Sequence, residues 1–358
     1  MNYNELIKLY KNNEFRKIDE QSNATKFYML RSISKSKTLN AFCEKFSLDV
    51  DLNQILQNED ITVQDIKEFI KETFNPKTID EIKNIERELN KLQNFDWGGS
   101  SGNNLENNIV NNYIKKMVKY EEIEEALQGN ILRSVYGYTM NSWYNHWSTI
   151  MIEDIFKNSP KVLPTVDLIE KIDFFIDDIP YDLKVTYFPE ELMKEKISTP
   201  LLEMYNSKYE LTCMKKIAKK VDIAIPNDLK GRELTICLYN LLCESVDREA
   251  KKFIDDLNEI KKDVINYYKN NPNELIIWLY EHQGDRRFDA ANRLYVVLID
   301  SERYFDSWKL KRNMNLIKDK VVNRVNEISL ENKNYINFHW KKDDKQYTCI
   351  SEVLFIDK

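Results

Sequence analysis

Hydrophobic and polar residues alternate with two different periods along the chain, and the change of period divides it. Over residues 1–92 the apolar positions recur at helical spacing, as at Ile66, Phe69 and Ile70. Three of the seven glycines in the chain fall between residues 94 and 103, which predicts a long loop there. We therefore predict a helical N-terminal region over residues 1–92 and a boundary near residue 93.

Residues 93–358 mix the helical period with short apolar runs that are typical of strands. The predicted elements are a helix from about Ser142 to Asn158, helices over 190–271, buried strands at Leu275–Tyr280 and Leu294–Ile299, a basic helix from about Ser307 to Ile328, and a terminal hairpin. This order predicts an α/β fold of the mixed α+β kind, with a central mixed sheet flanked by helices. The stretch 190–271 is then a helical insertion between strands.

The most informative segment is an apolar strand pair around Asp177-Asp178. A two-residue turn at these aspartates places Asp173 directly opposite Asp182. Facing Cβ atoms of an antiparallel pair lie only ~4.5–5.5 Å apart, and like charges there are destabilising. Strand alternation puts Lys184 on the same face as Asp182. Two carboxylates held this close predict a cation between them.

Charge and composition narrow the class of protein. The chain has 358 residues and a formal net charge of −6, which argues against a general polyanion binder. Between Arg303 and Arg324, however, seven basic residues stand against two acidic ones, a stripe that suits a phosphate backbone as well as a solvated helix face. There is no apolar run of membrane-spanning length and no signal-peptide pattern. Five cysteines without a C-x-x-C pair favour a reducing compartment, so we expect a cytoplasmic protein without a membrane partner.

The acidic hairpin has the residue types that phosphodiester hydrolysis needs. Mg²⁺ takes oxygen ligands, usually one or two carboxylates together with waters and substrate phosphates. Asp173 and Asp182 suit this role, and the backbone carbonyl of Leu183 is a further candidate ligand. Lys184 could orient the attacking water or stabilise charge on the phosphate. Glu153, on the preceding predicted helix, could complete the site as a ligand or by holding water.

This arrangement of Asp173, then Asp182-x-Lys184 on a hairpin, after a helix carrying Glu153, resembles the PD-(D/E)xK nuclease superfamily. Within it the chain looks most like a Type II restriction endonuclease. The resemblance covers about residues 140–190, and Ile172 stands where the proline of the family's name would be. It implies a restriction-endonuclease-like core and Mg²⁺-dependent, sequence-specific cleavage of double-stranded DNA by a homodimer or higher homo-oligomer. Mn²⁺ is expected to substitute for Mg²⁺.

Candidate DNA contacts lie outside the hairpin. Arg286 and Arg287, between the two predicted buried strands, could contact phosphate or guanine, and Lys309, Lys311 and Arg312 belong to the basic stripe. The helical region 1–92 is a possible DNA-contacting or support domain. Three alternatives stay open: a repair, recombination or phage-defence nuclease without a fixed recognition sequence, a non-catalytic DNA-binding module with a degenerate core, and an exposed hairpin whose acids are merely solvated.

Overall fold

A six-stranded mixed sheet forms the centre of the protein in a computed structural model, which describes residues 1–95, 105–227, 229–283 and 288–358. The strands are β1 (Val162–Ile169), β2 (Ile172–Ile176), β3 (Ile179–Tyr187), β4 (Arg293–Ile299), β5 (Tyr335–Trp340) and β6 (Lys345–Asp357), in the spatial order β1-β2-β3-β4-β6-β5. β3 pairs in parallel with β4, and β4 with β6, whereas the other neighbours are antiparallel. The predicted mixed α/β class, a mixed sheet flanked by helices, is confirmed. Pro164 is tolerated within β1 because β1 is an edge strand.

The N-terminal region is helical, as the apolar spacing predicts. Its helices are α1 (Tyr3–Lys11), α2 (Phe15–Asp19), α3 (Ala24–Ser32), α4 (Ser36–Phe46), α5 (Leu52–Gln57), α6 (Val63–Thr73) and α7 (Ile79–Leu89). Thr62 and Thr78 begin α6 and α7 with capping boxes, so each threonine satisfies a backbone N–H at the start of its helix. α3 and α6 pack against β1, which joins this region to the sheet.

The segment that leads into the acidic hairpin is also helical. It consists of α8 (Leu105–Ile109), a π-helical turn (Val110–Ile114), α9 (Tyr120–Ala126), a second π-helical turn (Leu127–Ile131) and α10 (Leu132–Lys157). α10 begins at Leu132, upstream of the predicted start at Ser142, and ends as predicted with Asn158 as its C-cap. Its second half buries Met151 and Ile152 and so fixes the position of the adjacent Glu153.

Helices fill the long connection from β3 to β4. They are α11 (Glu190–Tyr205), α12 (Glu210–Lys220), α13 (Gly231–Glu244), α14 (Arg248–Asn270) and α15 (Pro272–Glu281). The predicted helical character of 190–271 is confirmed, but the predicted strand at Leu275–Tyr280 is wrong, since these residues belong to α15. A short apolar run fits a buried helix and a buried strand equally well. Pro272 decides the outcome, because its fixed φ and missing N–H suit the first turn of a helix.

The C-terminal part differs from its prediction in one respect. The single basic helix predicted for 307–328 is wrong, because the chain forms a 3₁₀-helix (Tyr304–Arg312) followed by α16 (Met314–Glu327). Asn313 separates the two and caps α16, with its side chain accepting a hydrogen bond from the Leu316 N–H. The predicted strand at Leu294–Ile299 and the terminal hairpin are confirmed as β4 and the β5–β6 pair.

Each face of the sheet carries its own hydrophobic core. Phe175 and Val297 pack with the N-terminal helices and α11–α15 on one face. Leu183 and Leu294 pack with α10 and α16 on the other face. Successive residues of a strand point to opposite faces. Because Leu183 faces α10 and α16, Asp182 and Lys184 point toward the face on which the N-terminal helices pack.

Two whole-chain properties bear on the sequence expectations. None of the described helices combines the length and the apolar character that a membrane crossing requires. All five cysteines are free thiols, at positions 43, 213, 237, 243 and 349. Their scattered placement matches the absence of paired cysteine motifs in the sequence.

Candidate active site

The acidic hairpin folds around a tight two-residue turn. Asp177 and Asp178 both have positive φ, 47° and 66°, as a type I′ turn requires at its two central positions. Its right-handed twist matches that of the flanking strands. The Cα pairing of Phe174 with Tyr181 confirms the register predicted from the sequence. An ion pair of 2.5 Å from Lys67 on α6 to Asp178 holds the turn against the N-terminal helices.

The β2–β3 ladder ends at Phe174 and Tyr181, and the two aspartates follow directly beyond it. Instead of a backbone partner, the Leu183 N–H has the side chain of Asp173, whose Oδ2 accepts its hydrogen bond at 2.7 Å. The N–H and C=O of one strand residue point to the same side, so the Leu183 carbonyl also points toward β2. The Leu183 carbonyl, which is the predicted backbone ligand, and the Asp173 side chain therefore lie on the same side of β3.

The pKa of Asp173 is set by burial and by the charges around it. Burial raises it from 3.8 to about 7, and the charges of Asp182 and Glu153 add to the rise. The Leu183 N–H and the Lys184 ammonium act in the opposite direction, because they stabilise the ionised carboxylate. The Asp173 carboxyl on β2 is therefore within electrostatic reach of Asp182 on β3 and of Glu153 on α10. Glu153 also forms an ion pair of 2.5 Å with Lys157, one helical turn further along α10.

Lys184 is the cation on the solvent side of this group. Its Nζ lies 2.7 Å from both carboxylate oxygens of Asp182. The Lys184 side chain is 44% exposed, whereas that of Asp182 is 9% exposed. The ammonium can therefore reach a ligand in solvent while it remains attached to a nearly buried acid.

A second cation, Arg293, contacts Asp182 from within the sheet and was missed by sequence reasoning. It stands beside Asp182 in the parallel β3–β4 register, with its Nε 3.4 Å from Asp182 Oδ2. Its terminal nitrogen forms an ion pair of 2.9 Å with Asp289, which was missed as well. The signal available in the sequence was an arginine at the start of an otherwise apolar strand, four residues after an aspartate.

The oxygen donors of this group suit Mg²⁺ better than they suit zinc. Among the described residues no cluster of three or more His, Cys, Asp or Glu side chains is arranged to hold a metal. Mg²⁺ does not need one, because it commonly takes one or two carboxylates and keeps several waters. Asp173, Asp182 and the Leu183 carbonyl supply oxygen donors only. Burial, and after it the charges of Asp182 and Glu153, raise the pKa of Asp173, and a bound cation would stabilise the ionised form.

The residues of the basic stripe that were predicted to contact DNA differ in their exposure to solvent. Arg286 and Arg287 lie outside the described residues. Lys311 is buried, its Nζ donates to Asn145 Oδ1 at 2.8 Å, and burial lowers its pKa to about 8. Arg312 donates to the carbonyl of Leu92 at 2.8 Å and so packs the 3₁₀-helix against the end of α7. Lys309 is the most exposed of the three basic-stripe candidates, and it pairs with Asp306 at 3.0 Å.

Comparisons with known proteins offer no relative from which a function could be transferred. No family model, no curated protein and no solved structure matches the chain. The geometry of the hairpin and its neighbours is therefore the basis for assigning a function.

Proposed function

We propose that this protein is a Mg²⁺-dependent endonuclease of the PD-(D/E)xK type that cleaves double-stranded DNA, with the sequence specificity of a Type II restriction enzyme. The observation that carries the proposal is the grouping of Asp173, Asp182, Glu153 and Lys184 where the β2–β3 ladder ends. The same four residues are the ones through which the sequence resembles that superfamily. The sheet around β3 and β4, with α10 beside it, would then be the restriction-endonuclease-like core.

Each residue has a role that follows from its surroundings. Asp173, Asp182 and the Leu183 carbonyl would hold Mg²⁺, which when bound acts as a Lewis acid and lowers the pKa of a coordinated water. Lys184, with its exposed ammonium, would orient the attacking water or stabilise charge on the scissile phosphate. Glu153 would hold a water at the edge of the site.

The ionisation of Asp173 would link the reaction to pH. A carboxylate binds a metal only in its ionised form, and the pKa of Asp173 is raised to about 7 by burial and by the neighbouring acids. Below neutral pH Asp173 holds a proton and competes poorly for the metal. Cleavage at limiting Mg²⁺ is therefore expected to increase as the pH rises toward 8.

Plasmid digestion tests the proposal. With Mg²⁺ present, Asp182→Ala and Lys184→Ala are each expected to lower the cleavage rate on the order of a hundredfold or more, because a metal ligand or the catalytic cation is lost. DNA affinity without metal should stay near the wild-type value. The matched control is Asp154→Ala, which removes the neighbour of Glu153 and breaks only an ion pair with Lys77. This control should cut DNA as the wild type does.

The form of the products separates the alternatives. Discrete bands indicate a sequence-specific enzyme, and a smear indicates a nuclease of the same core without a fixed site. If the wild type binds DNA but does not cut it with Mg²⁺ or Mn²⁺, the protein is a non-catalytic module. Full cleavage by a clean Asp182→Ala preparation would contradict the assignment of the site. We expect a homodimer or higher homo-oligomer, which sedimentation measures directly.

A further inference from the structure

Asp182 lies between two cations that differ in their exposure to solvent. Lys184 approaches it from the solvent side and can move away when a ligand arrives. Arg293 is only 4% exposed and approaches from β4. Its Nε, 3.4 Å from Asp182 Oδ2, makes no hydrogen bond, so the contact is electrostatic. Arg293 is thus placed to influence the charge of Asp182 rather than to contact DNA.

Three contacts fix the guanidinium in this position. One terminal nitrogen pairs with Asp289 at 2.9 Å, and the other donates to the Tyr295 hydroxyl at 3.2 Å. The ring of Tyr280 lies 5.1 Å from the guanidinium carbon, a cation–π distance. Arg293 cannot swing away as Lys184 can, because it would leave the Asp289 carboxylate without its ion-pair partner.

We infer that Arg293 is a resident counter-cation of Asp182, which compensates this carboxylate when no divalent cation is bound and lowers the affinity of the site for one. The inference rests on the proposed function, since it concerns the same metal site. A cation bound to Asp182 is repelled by the fixed guanidinium, and burial keeps this repulsion from being screened by salt. Asp289 has the opposite effect, because it neutralises part of the Arg293 charge.

The two residues therefore predict changes of opposite sign in metal affinity. Mn²⁺ is titrated calorimetrically into the full-length protein without DNA. Arg293→Met leaves Asp289 without its ion-pair partner and Asp182 with Lys184 as its paired cation, so Mn²⁺ should bind about tenfold more tightly. Asp289→Asn removes a negative charge and leaves the whole guanidinium charge facing Asp182, so Mn²⁺ should bind several-fold more weakly. General damage to the fold would weaken binding in both variants.

Two further variants control for charge and for packing. Arg293→Lys keeps the positive charge and should leave the Mn²⁺ affinity within about twofold of the wild type. Arg324→Met breaks another arginine–carboxylate pair of the same sheet, with Glu352 on β6, and should leave the affinity unchanged. If Arg293→Met fails to fold, Asp289→Asn still tests the inference. A Mn²⁺ affinity of Asp289→Asn equal to or tighter than that of the wild type overturns it.

The outcomes distinguish this inference from the proposed function. A wild-type protein that neither binds Mn²⁺ nor cuts DNA refutes both. In another outcome, the wild type cuts DNA, Asp182→Ala does not, and Arg293→Met and Asp289→Asn bind Mn²⁺ as tightly as the wild type. This outcome refutes the counter-cation role and leaves the proposed function intact. Tighter binding in Arg293→Met and weaker binding in Asp289→Asn supports it.

Discussion

The Asp173 carboxyl makes the stability of the metal-free protein depend on pH. Its folded-state pKa is raised to about 7, chiefly by burial, whereas an unfolded chain releases this proton near 3.8. Between these values the folded state binds more protons than the unfolded state, so stability decreases as the pH rises through this window. The decrease is complete above the folded-state pKa. Ionised Asp173 thus lowers the stability of the metal-free fold above neutral pH.

Replacing this carboxyl by its neutral isostere should remove the dependence. Asp173→Asn can still accept the Leu183 N–H but carries no charge, so at pH 8 in EDTA it should melt several degrees above the wild type. The pKa rise from 3.8 to about 7 sets an upper limit of about 4 kcal/mol on the gain. At pH 5 the two proteins should melt nearly alike, because wild-type Asp173 is then protonated. Equal melting temperatures at pH 8 would show that neither burial nor the neighbouring acids destabilise the ionised Asp173 carboxylate.

Part of this site could be predicted from the sequence because some of its residues lie close together along the chain. Asp173, Asp182 and Lys184 lie on one hairpin, where a period of two residues and a two-residue turn fix the register. Arg293 and Asp289 reach Asp182 only through the parallel pairing of β3 with β4, across the intervening helices α11–α15. No local pattern specifies which residue of a distant strand will stand beside Asp182.

Among the elements, the β2–β3 turn combines backbone strain with side-chain anchoring. Its two aspartates adopt positive φ, which costs a residue with a Cβ roughly 1–2 kcal/mol. The Lys67 ion pair to Asp178 and the hydrogen bond of 2.7 Å from the Leu330 N–H to Asp177 offset this cost. Asn-Gly, the pair that this turn type prefers, would relax the backbone and lose the ion pair.

Two substitutions at Asp178 separate these contributions. Asp178→Gly and Asp178→Val lose the same ion pair, but only valine keeps a Cβ, and it is β-branched. Because φ is 66° at this position, Asp178→Val should be less stable than Asp178→Gly by about 1–2 kcal/mol or more. Urea unfolding monitored by tryptophan fluorescence measures the difference. Equal midpoints would indicate that the turn relaxes to another type.

The sequence predicts helix or strand correctly where the apolar periodicity extends over many residues. The prediction fails where the apolar run is short. The amphipathic helices of the N-terminal region and of 190–271 extend over many turns, and their caps can be read from Thr62 and Thr78. Leu275–Tyr280 is a short apolar run, and its helical state follows from Pro272 and from its burial against β5. Tertiary surroundings decide such segments, and they are not visible in the sequence.

At the scale of the whole molecule, the N-terminal helices and the sheet share one hydrophobic core. Leu6, Phe27 and Ile66 belong to the same buried cluster as Phe175 and Val297. Polar contacts accompany this packing. Asp167 on β1 accepts hydrogen bonds from the Lys35 N–H at 3.2 Å and from the Thr38 hydroxyl at 2.9 Å. The N-terminal region therefore packs at β1 and β6 on the face of the sheet toward which Asp182 and Lys184 point.

This shared core predicts that a fragment of residues 93–358 will not fold alone. Removing residues 1–92 would expose Leu163, Ile172 and Phe175, which are buried in the complete chain, and an apolar patch of this kind favours aggregation. The full-length protein should unfold in one cooperative thermal transition, whereas the fragment should bind a hydrophobic dye and show no sharp transition. A soluble fragment with a cooperative transition and Mg²⁺-dependent cleavage would instead show that the N-terminal helices are a separable DNA-contacting domain.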